Sequence, residues 1–433
     1  MALPALARDL HATASELPWT INAYLLPLGA LILLGGGLGD HLGRRRYFVI
    51  GLVIFTGASI LCALAPSVAW LVAGRGVQGI GAALLMPNSL AILGSHFQGE
   101  ARGRAIGLWA ASGAIAGAVG PIVGGWLVDT VSWRVIFLIN VPIAVTAGIL
   151  ASKYVRENVG KFSQPLDWIG AVLATSALGV LAWSLTEATG GGLPAPILVW
   201  ATLVGLLLLL AFVWRERRLA EAALMPLTLF ASSTFVGLTL LTLLVYGSLG
   251  GLLVLLPFFL IRIAHWTAIA AGAALLPVPI LIGLGSRSMG RVAARHGGRL
   301  PLTLGAVLVG IGFALYTRID ATSVSYWFDV FPATSLVALG MAMTAAPLTT
   351  SVMESVDTAH VGIASGFNSA VARIGGLVTT ALLGYVFARQ GSPVEFLHGV
   401  KLAAGFGCAS ALLAALCGYA LLKDARNPIM TSR

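Results

Sequence analysis

Charge is what this sequence has least of. Only 10% of its 433 residues are Asp, Glu, Lys or Arg, against about 25% in a soluble domain, which excludes an ordinary soluble fold. Cysteine is scarce too. Cys62, Cys408 and Cys417 all lie within apolar runs and lack metal-ligand or disulfide spacing, so they read as small core residues. The first seventeen residues carry Arg8, Asp9, His11 and Glu16 and no long apolar core, so no cleavable leader is expected. The short alternating segments of a membrane β-barrel are missing. So are a phosphate-binding loop, a metal cluster, a pair of buried carboxylates and a nucleophile beside its base. The chain reads as neither an enzyme nor an ATP-driven pump, and as binding no cofactor or metal.

What is there is apolar: 58% of the residues are hydrophobic and the mean hydropathy is +0.94. Apolar runs of about 18 or more residues cross a bilayer as helices, because inside lipid the backbone must satisfy its own hydrogen bonds. Thirteen segments read this way, at about 18–39, 47–65, 68–94, 104–127, 135–152, 167–187, 195–214, 233–260, 267–286, 300–317, 329–350, 361–387 and 400–422. The expected fold is therefore all-α and polytopic, with thirteen transmembrane helices.

The turns between them alternate in charge. One set, which includes Arg44, Arg45, Arg46, Lys153, Lys161, Arg215, Arg217, Arg218, Arg291 and the tail Lys423, Arg426 and Arg433, holds eighteen of the 26 Lys and Arg residues. The other holds Arg8, Arg134, Arg262, Arg318, Arg389 and Lys401, while Arg75 and Arg373 fall inside helices. Cytoplasmic loops carry the excess, which puts the first set and the C-terminus in the cytoplasm. The net charge of +10 is thus an orientation signal; a nucleic-acid partner would need a basic patch on a soluble face.

An internal repeat organises the helices. Gly36, Gly43 and Arg45 find an echo in Gly290, Gly297 and Arg299 at an offset of 254, and Gly107, Gly117 and Gly125 in Gly366, Gly376 and Gly384 at an offset of 259. These offsets span eight of the helices above. Two similar six-helix halves separated by a two-helix insert account for that spacing: 1–160 as the N-terminal half-bundle, 161–222 as the insert, and 223–433 as the C-terminal half-bundle. Subtracting the offset from the helix at 233–260 gives a partner ending near residue 6, so a first helix is expected to be missing from the N-terminal half.

Five motifs then fall on the expected helices in order. Gly36-x-Leu38-x-Asp40-x-x-Gly43-Arg44-Arg45-Arg46 occupies the first basic turn. Arg75-x-x-Gln78-Gly79-x-Gly81-Ala82 follows two helices on, and Gly113-x-x-x-Gly117-x-x-Gly120-Pro121-x-x-Gly124-Gly125 lies in the next. Trp133-Arg134-x-Ile136-Phe137-x-x-Asn140-x-Pro142 and Asp167-Trp168-x-Gly170 complete the set. Together they resemble the major facilitator superfamily, and within it the fourteen-helix drug:proton antiporters, over essentially the whole chain. The resemblance implies alternating access, efflux of lipophilic drugs or natural products in exchange for protons, residence in the cell membrane as a multi-pass protein, and a monomer. It also implies a coupling aspartate deep in helix 1, the helix expected to be missing.

The residues carry their own chemistry. Asp40 near three arginines reads as a charge latch that must break between conformations, against plain positive-inside anchoring; Ala294 stands at the corresponding place in the second half. Gly113, Gly117, Pro121 and Gly125 at i, i+4 spacing, with Gly120 and Gly124 beside them, make a smooth packing face. Arg75 and Arg373 are buried charges in apolar helices, functional candidates by default, with interfacial snorkelling the alternative for Arg75. The acids fall in loops and at helix ends, Glu216 and Asp167 among them, with none well inside an apolar helix. Asn22, Tyr24, Gln78, Asn88, Trp109, Tyr246 and Asn368 are the polar candidates for a cavity at the midplane, suited to a small lipophilic or cationic substrate if they are not simply helix–helix hydrogen bonds. Two other readings stay open: a transporter of a native metabolite on the same fold, and a truncated, non-transporting membrane protein.

Overall fold

A computed structural model describes residues 2–13, 16–97, 99–157, 167–190, 193–219, 223, 225, 227–320, 324–357, 361–388 and 393–422. The expected boundary at 160/161 and the residue before that at 222/223 lie outside the described residues, as do Lys161, Arg389, Lys423, Arg426 and Arg433. Every regular element among the described residues is helical.

A short α1 (Leu3–Asp9) precedes α2 (Glu16–Leu42), α3 (Arg44–Ala63), α4 (Val68–His96) and α5 (Gly99–Thr130). The segment expected at 135–152 is broken at Ile139 into α6 (Val135–Leu138) and α7 (Asn140–Tyr154). The pair α8 (Trp168–Gly190) and α9 (Ala195–Leu219) follows, then α10 (Ser233–Arg262). The segment expected at 267–286 is also split, into α11 (Ala268–Ala273) and α12 (Pro277–His296). After α13 (Arg299–Tyr316), a π turn at Tyr326–Val330 runs into α14 (Phe331–Glu354). The chain ends with α15 (Val361–Leu382), α16 (Gly384–Phe387) and α17 (Pro393–Leu421).

Twelve of these spans are long and apolar enough to cross a membrane. The thirteenth, α5, is 32 residues long, about 48 Å at 1.5 Å per residue, with its apolar stretch over Ile115–Thr130. Large apolar side chains such as Leu108, Ile115, Trp200, Leu284 and Phe406 point outward, where only lipid can solvate such a belt.

Packing builds two bundles. In the first, α4 lies against α2 and α3, and α3 against α7. In the second, α10 packs on α15 and α17, and α14 on α12 and α13, around a core that includes Phe235, Phe258, Phe387 and Phe396. Two seams join them: α2 against α15, and α5 against α11 and α12. The α8–α9 pair attaches through α8, which touches α2, α15 and α16.

The foot of that pair explains one sequence motif. Asp167 accepts from the Gly170 N–H at 2.9 Å, capping α8, and pairs with Arg215 of α9 at 2.6 Å. Glu216, expected to be a loop or interface acid, is instead fully buried in the last turn of α9, where it accepts from the Met225 N–H at 2.7 Å. The difference arises because Met225, beyond α9, lies against it.

The Trp133–Arg134 motif is likewise a joint. Trp133 Nε1 donates to Asp9 Oδ2 at 2.9 Å, Arg134 forms an ion pair with the same oxygen, and the guanidinium lies over the Trp133 ring. The hydrogen bonds from Arg134 and Trp133 hold the Asp9 carboxyl below the ordinary carboxylate range. A lowered pKa keeps this contact intact at neutral pH and releases it only as pH falls through the lowered value. The difference in tryptophan emission between wild type and Asp9→Asn should therefore stay flat from about pH 8 to 5 and change only in stronger acid, below about pH 4. A transition near pH 6 would show that Asp9 does not anchor Trp133.

Candidate functional site

The basic turn between α2 and α3 is one residue long. Asp40 is not in the turn, as expected, but in the last turn of α2, and Gly43 alone makes the reversal at φ +114°, a conformation that glycine adopts freely. Asp40 Oδ1 accepts from Arg44 Nε at 2.6 Å. Arg45 turns elsewhere: its guanidinium reaches the Val155 carbonyl at 3.1 Å and Glu157 at 3.6 Å. The expected single latch is thus two pairs, Asp40 with Arg44 and Arg45 with Glu157, because adjacent residues at a helix start point in different directions.

By sequence Glu157 is one more acid in a loop. Its two oxygens accept from the Arg45 and Arg46 N–H groups at 3.1 and 3.0 Å, so it caps α3 from across the bundle and favours the positive end of the helix dipole. A cavity of 150 Å³ adjoins this cluster between Arg44, His96 and Glu157. Glu157→Ala should destabilise the protein by about 1 kcal/mol, read as earlier thermal unfolding, with Glu157→Gln in between. Unchanged unfolding in both would remove the cap.

Toward the opposite end, Arg75 is held from three sides. Its Nε donates to the Thr20 carbonyl at 3.0 Å, its Nη1 to Gln78 Oε1 at 2.5 Å, and its guanidinium lies 4.3 Å from the Tyr24 ring centroid. Gln78, fully buried, passes the chain on from Nε2 to Ser59 Oγ at 2.8 Å. The partners come from α2, α3 and α4, so Arg75 knits the first bundle together and does not snorkel.

Arg373 sits midway along α15 on the seam with the first bundle, where its Nη2 points at Met86 Sδ of α4 at 2.9 Å. Tyr24 and Tyr246 both lie within its electrostatic reach. Asn88 Nδ2 donates to the Gly35 and Leu84 carbonyls while its buried Oδ1 has no hydrogen-bond partner among the described residues, and Asn368 Oδ1 accepts from Thr242 at 2.6 Å. Trp109 reaches Ser89 near the basic end. Asn22 is fully buried in α2, and neither amide atom has a hydrogen-bond partner. Of the seven cavity candidates, the structure brings Tyr24 and Gln78 against Arg75.

The glycine face of α5 divides. Gly125 presses on the backbone of Ala268 and Ile269, the Pro121 carbonyl meets Gly272, and Gly117 faces Pro279. Gly113, Gly120 and Gly124 have no neighbour within 4 Å among the described residues. One more turn along, Asp129 accepts from the Ala268 and Ile269 N–H groups at 3.1 and 2.9 Å. The end of α5 is thereby tied to the start of α11 in the other bundle. The i, i+4 glycine spacing signals the close approach; Asp129 carries no sequence signal.

Comparison with known proteins bears on this geometry. A model of the Major Facilitator Superfamily matches residues 1–380. The multidrug resistance protein Stp of Mycobacterium tuberculosis is 32% identical over 392 residues, covering 90% of this chain and 72% of the relative. The methylenomycin A resistance protein of Bacillus subtilis is 33% identical over 388 residues, 89% of this chain and 82% of the relative. The tetracenomycin C resistance and export protein of Streptomyces glaucescens is 31% identical, at 90% and 72% coverage. Among solved structures, a POT family transporter in complex with 5-aminolevulinic acid superposes with a TM-score of 0.70 at 16% identity, over 98% of this chain and 91% of that one, a likeness of fold.

Proposed function

The chain belongs to the major facilitator superfamily, and from that premise we propose that it exports small lipophilic molecules across the cell membrane in exchange for protons, by alternating access. The observation that carries this reading is similarity along about nine-tenths of the chain to proteins named for multidrug resistance, antibiotic resistance and export. The basic turns lie on the cytoplasmic side, and with them the C-terminus. The halves 1–160 and 223–433 rock against each other, 161–222 forms the insert, and the working unit is a monomer.

In this reading Asp40, Arg44, Arg45, Gly36 and Gly43 form the cytoplasmic latch. Arg44 and Arg45 ion pairs tie α2 to α3 and α3 to the chain after α7, and these ties break when the cytoplasmic ends part. At the other end, Gly117, Pro121 and Gly125 with Asp129 form the opposing closure. Between them Tyr24, Arg75, Tyr246 and Arg373 face the path.

The test is purified protein in liposomes loaded with a lipophilic fluorescent dye. An imposed inward proton gradient is expected to drive dye out of right-side-out vesicles, and a protonophore to stop it. Export that ignores the protonophore would remove proton coupling; dye retained at the rate of empty vesicles would remove export itself.

A further inference from the structure

The two intramembrane arginines are treated differently by their surroundings. Arg75 has an oxygen acceptor for Nε, another for Nη1, and an aromatic face against the guanidinium plane. Arg373 has a thioether, a weak acceptor, against Nη2, and its Nε–H is buried with no hydrogen-bond partner among the described residues. It projects where α15 packs on α2: a Cβ on Gly29 would lie 3.5 Å from that of Arg373. Met86 of α4 touches it, and Tyr24 of α2 and Tyr246 of α10 lie within its electrostatic reach.

Three uses for such a residue can be weighed. Helix packing alone would be served by an apolar side chain of the same volume, without the cost of placing a charge in lipid. A proton relay needs a group that titrates, and a guanidinium does not. An ion pair with the protein needs a carboxylate, and those among the described residues lie at helix ends or in turns, away from the middle of α15. Among the described residues no group takes the Nε donor, and a negative charge that arrives with a ligand is a partner that would use it. A planar fork of N–H donors fits a carboxylate in two-point fashion, and Met86 with the surrounding apolar helices would take the body of the molecule.

We propose that Arg373 receives the carboxylate of lipophilic organic acids, so that the preferred substrates are anionic amphiphiles. This deepens the export reading and rests on it. It also narrows the substrate class: the two guanidinium groups of Arg75 and Arg373 repel a cationic drug, whatever the aromatic content suggests.

The experiment compares 1-pyrenebutyrate with its methyl ester, which share the apolar body and differ in charge. Binding to the full-length protein is followed by pyrene fluorescence, and export from proteoliposomes is followed in parallel. Wild type is expected to bind the acid at least tenfold more tightly than the ester. Arg373→Gln should bring that ratio close to one, and Arg373→Lys, which keeps the charge but loses the fork, should retain part of it; thermal unfolding confirms that the variants are folded. The same acid-to-ester ratio in wild type and Arg373→Gln would overturn the proposal, as would a wild type without preference. A wild type that prefers the acid in an Arg373-dependent way yet exports neither probe would sink the export reading and leave the anion site standing.

Discussion

Arg75→Ala is expected to cut export at least tenfold while leaving the protein folded. The substitution removes donors to the Thr20 carbonyl and to Gln78, and the cation from the face of Tyr24. Hydrogen bonds to charged groups contribute about 1.5–3 kcal/mol each, so a loss of one of them in the conformation that limits transport already exceeds the 1.4 kcal/mol of a tenfold change. Gln78 would keep its bond to Ser59, which is why folding should survive. Arg75→Lys should recover little, because one ammonium cannot serve a carbonyl, an amide oxygen and an aromatic face in the fixed directions of a guanidinium. Initial export rates in proteoliposomes, normalised to incorporated protein, decide the matter. Wild-type rates for the alanine variant would reduce Arg75 to a structural tie.

Gly125→Leu is expected to be the most damaging single change in α5. A Cβ at this position would fall on the backbone of Ala268 and Ile269, and backbone cannot give way as a flexible side chain does. Overpacking costs about 1–3 kcal/mol, and here the strain is relieved by moving α5 away from α11. That movement also breaks the two hydrogen bonds from Ala268 and Ile269 to Asp129, so one substitution undoes the whole closure at this seam. The expected outcome is a protein held open at the end away from the basic turns, with export near background. A membrane-impermeant thiol reagent, applied to Ile269→Cys in a background without the native cysteines, should label the Gly125→Leu form several-fold faster. Equal labelling together with normal export would show that the two bundles do not close through this contact.

Both predictions use positions that stand out in the sequence, and both depend on partners that do not. Arg75 and Gln78 are three residues apart on one helix, and such a pair is readable as neighbours. Thr20 and Tyr24 come from α2, more than fifty residues earlier, and nothing in their types announces the meeting. Asp40 and Arg44 are readable in the same local way, whereas Glu157 lies more than a hundred residues beyond the helix start it caps. The breaks at Ile139, at 274–276 and at Leu383 were not readable, since a short interruption leaves the apolar composition unchanged. Glu216 differs for a related reason: charge at the end of an apolar run normally faces water, and only a tertiary contact such as that with Met225 shows it to be buried.

By itself the sequence determined that the chain is a bundle of membrane-crossing helices, where each one runs, how the basic turns alternate, and which superfamily it belongs to. Those properties follow from composition and local spacing, because bilayer thickness sets run length and each helix satisfies its backbone internally. Only the tertiary structure decided which arginine is satisfied and which is left with unused donors. It also decided which α5 glycines touch the other bundle, and that Asp129 and Glu157 are caps. Hydrogen-bond satisfaction depends on atoms brought within about 3 Å by helices distant in sequence, and no local pattern encodes that distance.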